Sequence, residues 1–180
     1  MKEDIKKEIK LKENINAQLD GVFLIVKGPK GEVKRTFAHP KIVLSVEKDK
    51  LILDVKKATR REKAVINSFE AHIYNMITGV EEPHVYKLKI CSGHFPMTVS
   101  VSGNELTIKN FLGEAVPRKV KFIVGAEVKI DGNEIIVSSP DKEAAGQTAA
   151  KIESLCRITD RDKRIFQDGC YIINKAGKIL

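Results

Sequence analysis

The chain has 180 residues, 42% hydrophobic and 31% charged, with a formal net charge of +8. This is the composition of a globular protein with a highly charged surface, not of a fibrous or disordered chain. No apolar run approaches the roughly 18 residues of a membrane span, and the charged opening Met1-Lys2-Glu3-Asp4 has no apolar signal segment, so the expected compartment is the cytoplasm.

Residues 1–13 alternate charged and aliphatic side chains, as a strand behind a loose basic tail would. Val22–Val26 is rich in β-formers, Gly28-Pro29-Lys30-Gly31 is a turn, and Val33–Phe37 resumes a strand. Ile42–Val46 and Leu51–Val55 flank the polar Glu47-Lys48-Asp49-Lys50 and predict a hairpin. Thr59-Arg60-Arg61-Glu62 fits a capping box. The helix it opens puts Val65, Ile66, Phe69, Ile73, Met76 and Ile77 on one face, with Gly79 as its expected stop. Glu81-Glu82-Pro83 reads as a link. Beyond it, Tyr86–Ile90, Thr98–Val101, Glu105–Ile108, Val120–Val124, Ala126–Ile130 and Glu134–Val137 are predicted strands. Gly103-Asn104 and Asp131-Gly132-Asn133 supply turns between them. Ser139-Pro140 is the expected cap and first residue of a second helix, with Ala145, Ala149, Ile152 and Leu155 as its apolar stripe.

These elements repeat. Leu24-Ile25-Val26-Lys27 with Gly31-Glu32 returns as Leu106-Thr107-Ile108-Lys109 with Gly113-Glu114. The pattern of Val46 and Leu51-Ile52-Leu53 returns as Ile130 and Ile135-Ile136-Val137. So long a period is not that of a solenoid, whose units run to roughly 20 to 50 residues; it predicts a small α+β module duplicated and fused. Gly146 and its neighbours Ala144, Ala145, Ala149 and Ala150 allow a close approach, either to the helix's own sheet or to a partner.

The basic excess points to a polyanionic partner, most often nucleic acid. The two halves of the chain carry equal net charge, so an interface must be sought in local patches. Three stand out: Lys56-Lys57 with Arg60, Arg61 and Lys63; the segment from Lys109 to Lys119, with Phe111 and Leu112 in a turn; and Arg157, Arg161, Lys163 and Arg164, followed by an extended tail at Lys175-Ala176-Gly177-Lys178 that suits a phosphate backbone. Apolar side chains in the second patch either pin the loop or meet a partner. Cys91, Cys156 and Cys170 form no disulfide framework and are expected reduced. Cys91-Ser92-Gly93-His94 is half a zinc site without a second half, and the weak candidate for a nucleophile–base pair. Neither a metal nor a cofactor is expected.

The run Gly146-Gln147-Thr148-Ala149-Ala150-Lys151-Ile152-Glu153, then Arg157-Ile158, then Asp162-Lys163-Arg164-Ile165-Phe166-Gln167-Asp168-Gly169-Cys170-Tyr171-Ile172, resembles the signature of the ribosomal protein L6 family in its archaeal and eukaryotic form. Ser92–Met97 and Phe111–Arg118 resemble it too. The resemblance covers essentially the whole chain. It implies an α+β protein of two homologous domains, 1–82 and 83–180, each an antiparallel β-sheet packed against one α-helix. It also implies a structural, non-catalytic constituent of the large ribosomal subunit, with large-subunit ribosomal RNA and neighbouring ribosomal proteins as partners. The RNA would be held mainly by the second domain, near the sarcin–ricin loop on the factor-binding side. Together with the basic patches, the motifs nominate His94, Phe95, Lys109, Phe111, Arg118, Lys119, Lys121, Arg157, Arg161, Lys163, Arg164, Lys175 and Lys178 as RNA contacts. The alternative is a protein-interaction scaffold outside the ribosome whose basic surface is incidental.

Overall fold

A computed structural model describes residues 3–47 and 50–179. The expected basic tail at Met1-Lys2 and the centre of the polar turn, Lys48-Asp49, lie outside them. The chain divides after Pro83 into two compact units.

The first unit contains β1 (Glu3–Lys10), β2 (Asn16–Asp20), β3 (Phe23–Gly28), β4 (Gly31–Thr36), β5 (Ile42–Glu47), β6 (Lys50–Ala58) and α1 (Arg60–Glu81). Its strands form two antiparallel three-stranded sheets, ordered β1-β6-β5 and β2-β3-β4. The second contains β7 (His84–Cys91), β8 (Thr98–Ser102), β9 (Glu105–Lys109), β10 (Arg118–Lys121), β11 (Glu127–Asp131), β12 (Glu134–Ser139), α2 (Lys142–Leu155), β13 (Gly169–Lys175) and β14 (Lys178–Ile179). Here the sheets are β10-β9-β8 and β11-β12-β7-β13-β14, again antiparallel. Strand order makes the duplication visible: β7-β12-β11 repeats β1-β6-β5, and β8-β9-β10 repeats β2-β3-β4. The second unit differs by the β13-β14 hairpin added to the free edge of β7.

Each helix buries its apolar stripe on its own sheets. Ile66, Ile73, Met76, Ile77 and Val80 join Ile9, Leu24, Val26, Leu51 and Leu53 in one core. Phe69 meets Phe37 edge-on, with ring centres 5.1 Å apart. The Thr59 backbone N–H donates to Glu62 Oε2 at 2.8 Å, and its hydroxyl donates to the same carboxylate. Those bonds, with Lys41 beside them, hold the Glu62 carboxyl down to about 2. The helix does not stop at Gly79. Val80 is fully buried and the helix runs two residues further, to Glu81, before Pro83 forbids continuation. The second core gathers Leu88, Leu106, Ile108, Ile135, Val137, Ala145, Ala149 and Ile152. A side chain at Gly146 would bring its Cβ within 3.2 Å of the Tyr86 hydroxyl, so close packing on the helix's own sheet accounts for that glycine.

Three expected boundaries move. The cap of α2 is Asp141, whose Oδ1 accepts from the Glu143 N–H at 2.9 Å. Ser139 is instead the buried last residue of β12, donating to the Gly125 carbonyl at 2.8 Å. The strand expected at Val120–Val124 is β10, at Arg118–Lys121, because it pairs with β9 through Lys121↔Glu105 and no further. The C-terminal segment is no extended tail: Lys175 and Lys178 face each other across a two-residue turn in which Ala176 (φ 48°) and Gly177 (φ 89°) are both left-handed.

Candidate nucleic-acid interface

In the second unit β7 ends at Cys91 and opens the loop 92–97, while α2 ends at Leu155 and opens the segment 156–168. Pairing of Cys91 with Gly169 at the start of β13 sets these stretches side by side. Gly169 is required there: its φ is 146°, and a Cβ would sit 3.2 Å from that of Cys156. Buried Asp168 joins the two. Its Oδ1 accepts the N–H groups of Gly93 at 2.6 Å and His94 at 3.0 Å, and its Oδ2 meets His94 Nδ1 at 2.6 Å. Burial alone would push the Asp168 carboxyl up. The His94 N–H, the His94 ring and the Gly93 N–H outweigh it and hold the group below the usual carboxylate value. The His94 ring stacks on Phe166 at 4.5 Å, and the Arg161 guanidinium lies 4.8 Å from the same Phe166 ring.

Asp162 shapes the rest of the segment. Its carbonyl accepts the Ile165 and Phe166 N–H groups, and its carboxylate accepts the N–H and guanidinium of Arg164. The Arg164 side chain, then its N–H, lower the Asp162 carboxyl. These parts enclose a cleft of about 860 Å³ lined by His94, Glu153, Cys156, Arg157, Ile158, Lys163, Ile165 and Tyr171, among others.

The 110–117 loop is fastened from inside. Phe111 is 1% exposed, with the Arg118 guanidinium 4.2 Å from its ring centre. Arg118 grips both Glu114 oxygens, at 2.8 and 2.5 Å, and donates to the carbonyls of Leu155 at 2.6 Å and Arg157 at 3.2 Å. It therefore ties the loop to the C-terminal end of α2, where a cation also suits the helix dipole. Asn110 donates to the Pro96 carbonyl at 2.9 Å, joining this loop to the His94 loop.

Of the nominated residues, the structure brings His94, Arg157 and Lys163 into one cleft, with Arg161 stacked beside it. Phe95 is exposed on the same loop as His94. Two nominated residues are engaged inside the protein. Phe111 is a core residue whose ring no base can reach, so it pins its loop. Arg118 directs four of its five N–H donors to groups within the protein. Lys109, Lys119 and Lys121 are exposed on the three-stranded sheet, Lys119 3.6 Å from Glu105. Lys175 and Lys178 are exposed in the β13-β14 hairpin, apart from the cleft lining. Asp168, Glu153 and Tyr171 carried no assignment from the sequence; the β-rich run Cys170-Tyr171-Ile172-Ile173 was the available signal for β13.

His94 held by Asp168 has the orienting half of a catalytic triad, but among the described residues no hydroxyl or thiol is hydrogen-bonded to its other nitrogen. No three His, Cys, Asp or Glu side chains among the described residues are grouped to hold a metal ion. Cys170, hydrogen-bonded to Cys156 and buried, is pushed up and stays a thiol.

The family model described as ribosomal protein L6 matches residues 12–82 and again 95–169. This chain belongs to the ribosomal protein L6 family. The two matched stretches correspond to the two structural repeats, and membership makes the chain a structural protein and not an enzyme. Among its relatives, the Large ribosomal subunit protein uL6 of Nanoarchaeum equitans is 47% identical over 97% of this chain and 95% of its own length. The proteins of that name from Methanococcus vannielii and Methanosarcina mazei are each 43% identical over 98% of this chain, and over 97% and 100% of their own lengths. All three of these relatives are archaeal.

Proposed function

We propose that the protein is a structural constituent of the large ribosomal subunit in the cytoplasm. It binds large-subunit ribosomal RNA and abuts neighbouring ribosomal proteins. Near-full-length likeness to proteins named for that subunit supports this. The RNA is held mainly by the second domain, taken as residues 83–180 against 1–82 for the first, near the sarcin–ricin loop on the factor-binding side. The observation that carries this assignment is the convergence of His94, Arg157, Arg161 and Lys163 on one side of the second unit, around a cleft with no counterpart chemistry for catalysis. Phe95, Lys109, Lys119, Lys121 and Arg164 extend the surface, and Lys175 and Lys178 supply outlying phosphate contacts. Arg118 and Phe111 act indirectly, by holding the 110–117 loop.

The test is ultraviolet crosslinking of the full chain within purified large subunits, followed by peptide mapping. RNA adducts are expected on peptides spanning 92–97 and 157–171. Adducts confined to residues 3–82 would overturn the assignment to the second domain.

A further inference from the structure

The cleft is built wrongly for phosphate alone. Its exposed cations, Arg157 and Lys163, stand beside an acid and apolar walls: Glu153, Ile158, Ile165 and the ring of Tyr171. A polyanion gains nothing from a carboxylate at the contact, and a hydrated phosphate gains nothing from isoleucine. Asp168, the other acid, is already satisfied by three donors. Glu153 is not: Oε1 accepts the Ile172 N–H at 3.1 Å, and Oε2 has no hydrogen-bond partner among the described residues. Tyr171 is 40% exposed, and its hydroxyl reaches the Asp168 carbonyl at 3.3 Å, which fixes its ring. A fixed aromatic face, a spare acceptor and flanking cations are what an unstacked nucleotide needs.

We infer that the cleft takes one extruded RNA base carrying an exocyclic amino group: adenine, cytosine or guanine, not uracil. The base lies against Tyr171, its amino group donates to Glu153 Oε2, and the phosphates on either side meet Arg157 and Lys163. This rests on the ribosomal RNA reading above. The volume of about 860 Å³ is ample for a base with its sugar.

Binding of the full chain to large-subunit ribosomal RNA, measured across a range of salt concentrations, decides the matter through the sign of one substitution. Glu153→Gln keeps an oxygen for the Ile172 N–H and turns the other position into a donor. If the cleft reads a base amino group, affinity falls by about tenfold while the salt slope stays unchanged. If it is only a phosphate surface, removing a negative charge tightens binding, and that result, or no change, overturns the inference. Tyr171→Leu is the second arm: a loss of roughly five- to a hundredfold at unchanged slope is expected for a lost stack, with Tyr171→Phe near wild type. Circular dichroism and thermal unfolding that match wild type confirm that each variant keeps its fold; a variant that fails this check is read through the other arm. Failure of the wild-type chain to bind this RNA at all would instead sink the ribosomal reading.

Discussion

Replacing Asp168 with alanine should loosen the interface from within. The carboxylate accepts three hydrogen bonds: two backbone N–H groups at 2.6 and 3.0 Å and a ring nitrogen at 2.6 Å. A hydrogen bond to a charged acceptor contributes about 1.5 to 3 kcal/mol net when its partner cannot find water. Gly93 and His94 are exposed residues, so water recovers much of the loss at the two amides. The net cost is therefore about 2 to 3 kcal/mol, well below the sum of three buried bonds. Asp168→Asn keeps one oxygen for both amides and should cost only about 1 kcal/mol. Amide exchange of Gly93 and His94 in the full chain reads this directly, and their protection should fall roughly 30- to 150-fold in the alanine variant. Because the same bonds hold the His94 loop against the Arg157–Phe166 segment, RNA affinity should fall with them. Protection within twofold of wild type in the alanine variant would show that Asp168 does not organise the site.

Arg118→Lys should destabilise the protein by about 2 kcal/mol, since an ammonium cannot replace the fork that meets Glu114 and two carbonyls together; a phosphate ligand would tolerate the exchange, so unchanged thermal stability with intact RNA binding would return Arg118 to the interface. Replacing Arg161, Lys163 and Arg164 together with alanine should flatten the slope of log affinity against log salt by about one to two units, at about 0.7 to 0.9 per phosphate contact. The loss stays below three contacts because Arg164 is already paired with Asp162, and an unchanged slope with the fold intact would make these residues ordinary surface. On acidification, the lowered Glu62 and Asp168 carboxyls contribute stability that is fully present above their unfolded values near 4. It is lost as pH falls through the folded values, for Glu62 between about 4.5 and about 2. Glu62→Gln should blunt that acid loss in the first turn of α1, monitored by amide exchange, and an identical pH profile in the variant would refute the link.

Local chemistry was readable from the sequence and long-range closure was not. The capping box at Thr59, the apolar stripe from Val65 to Ile77 and the hairpin turns depend on neighbours a few residues apart. So does the duplication, because both copies keep the same alternation. Arg118 depends on carbonyls 37 and 39 residues away, and Asp168 on amides 75 and 74 residues away; no pattern in a single sequence announces either. The same distance hid β13. Lys175 and Lys178 read as a basic tail because their charge is visible locally, whereas the pairing of Gly169–Lys175 with β7 is decided across the fold. Phe111 shows the opposite hazard: an aromatic between basic residues has the composition of a base-stacking loop, yet the core needed the ring.

Membership of the large subunit is tested most directly by quantifying this protein in large ribosomal subunits purified from its source, before and after washing at moderate and at high salt. One copy per subunit that persists through the moderate-salt wash is the expected result. Absence from the particles, or release of most of the protein at moderate salt, would mean that its basic surface meets the ribosome only incidentally.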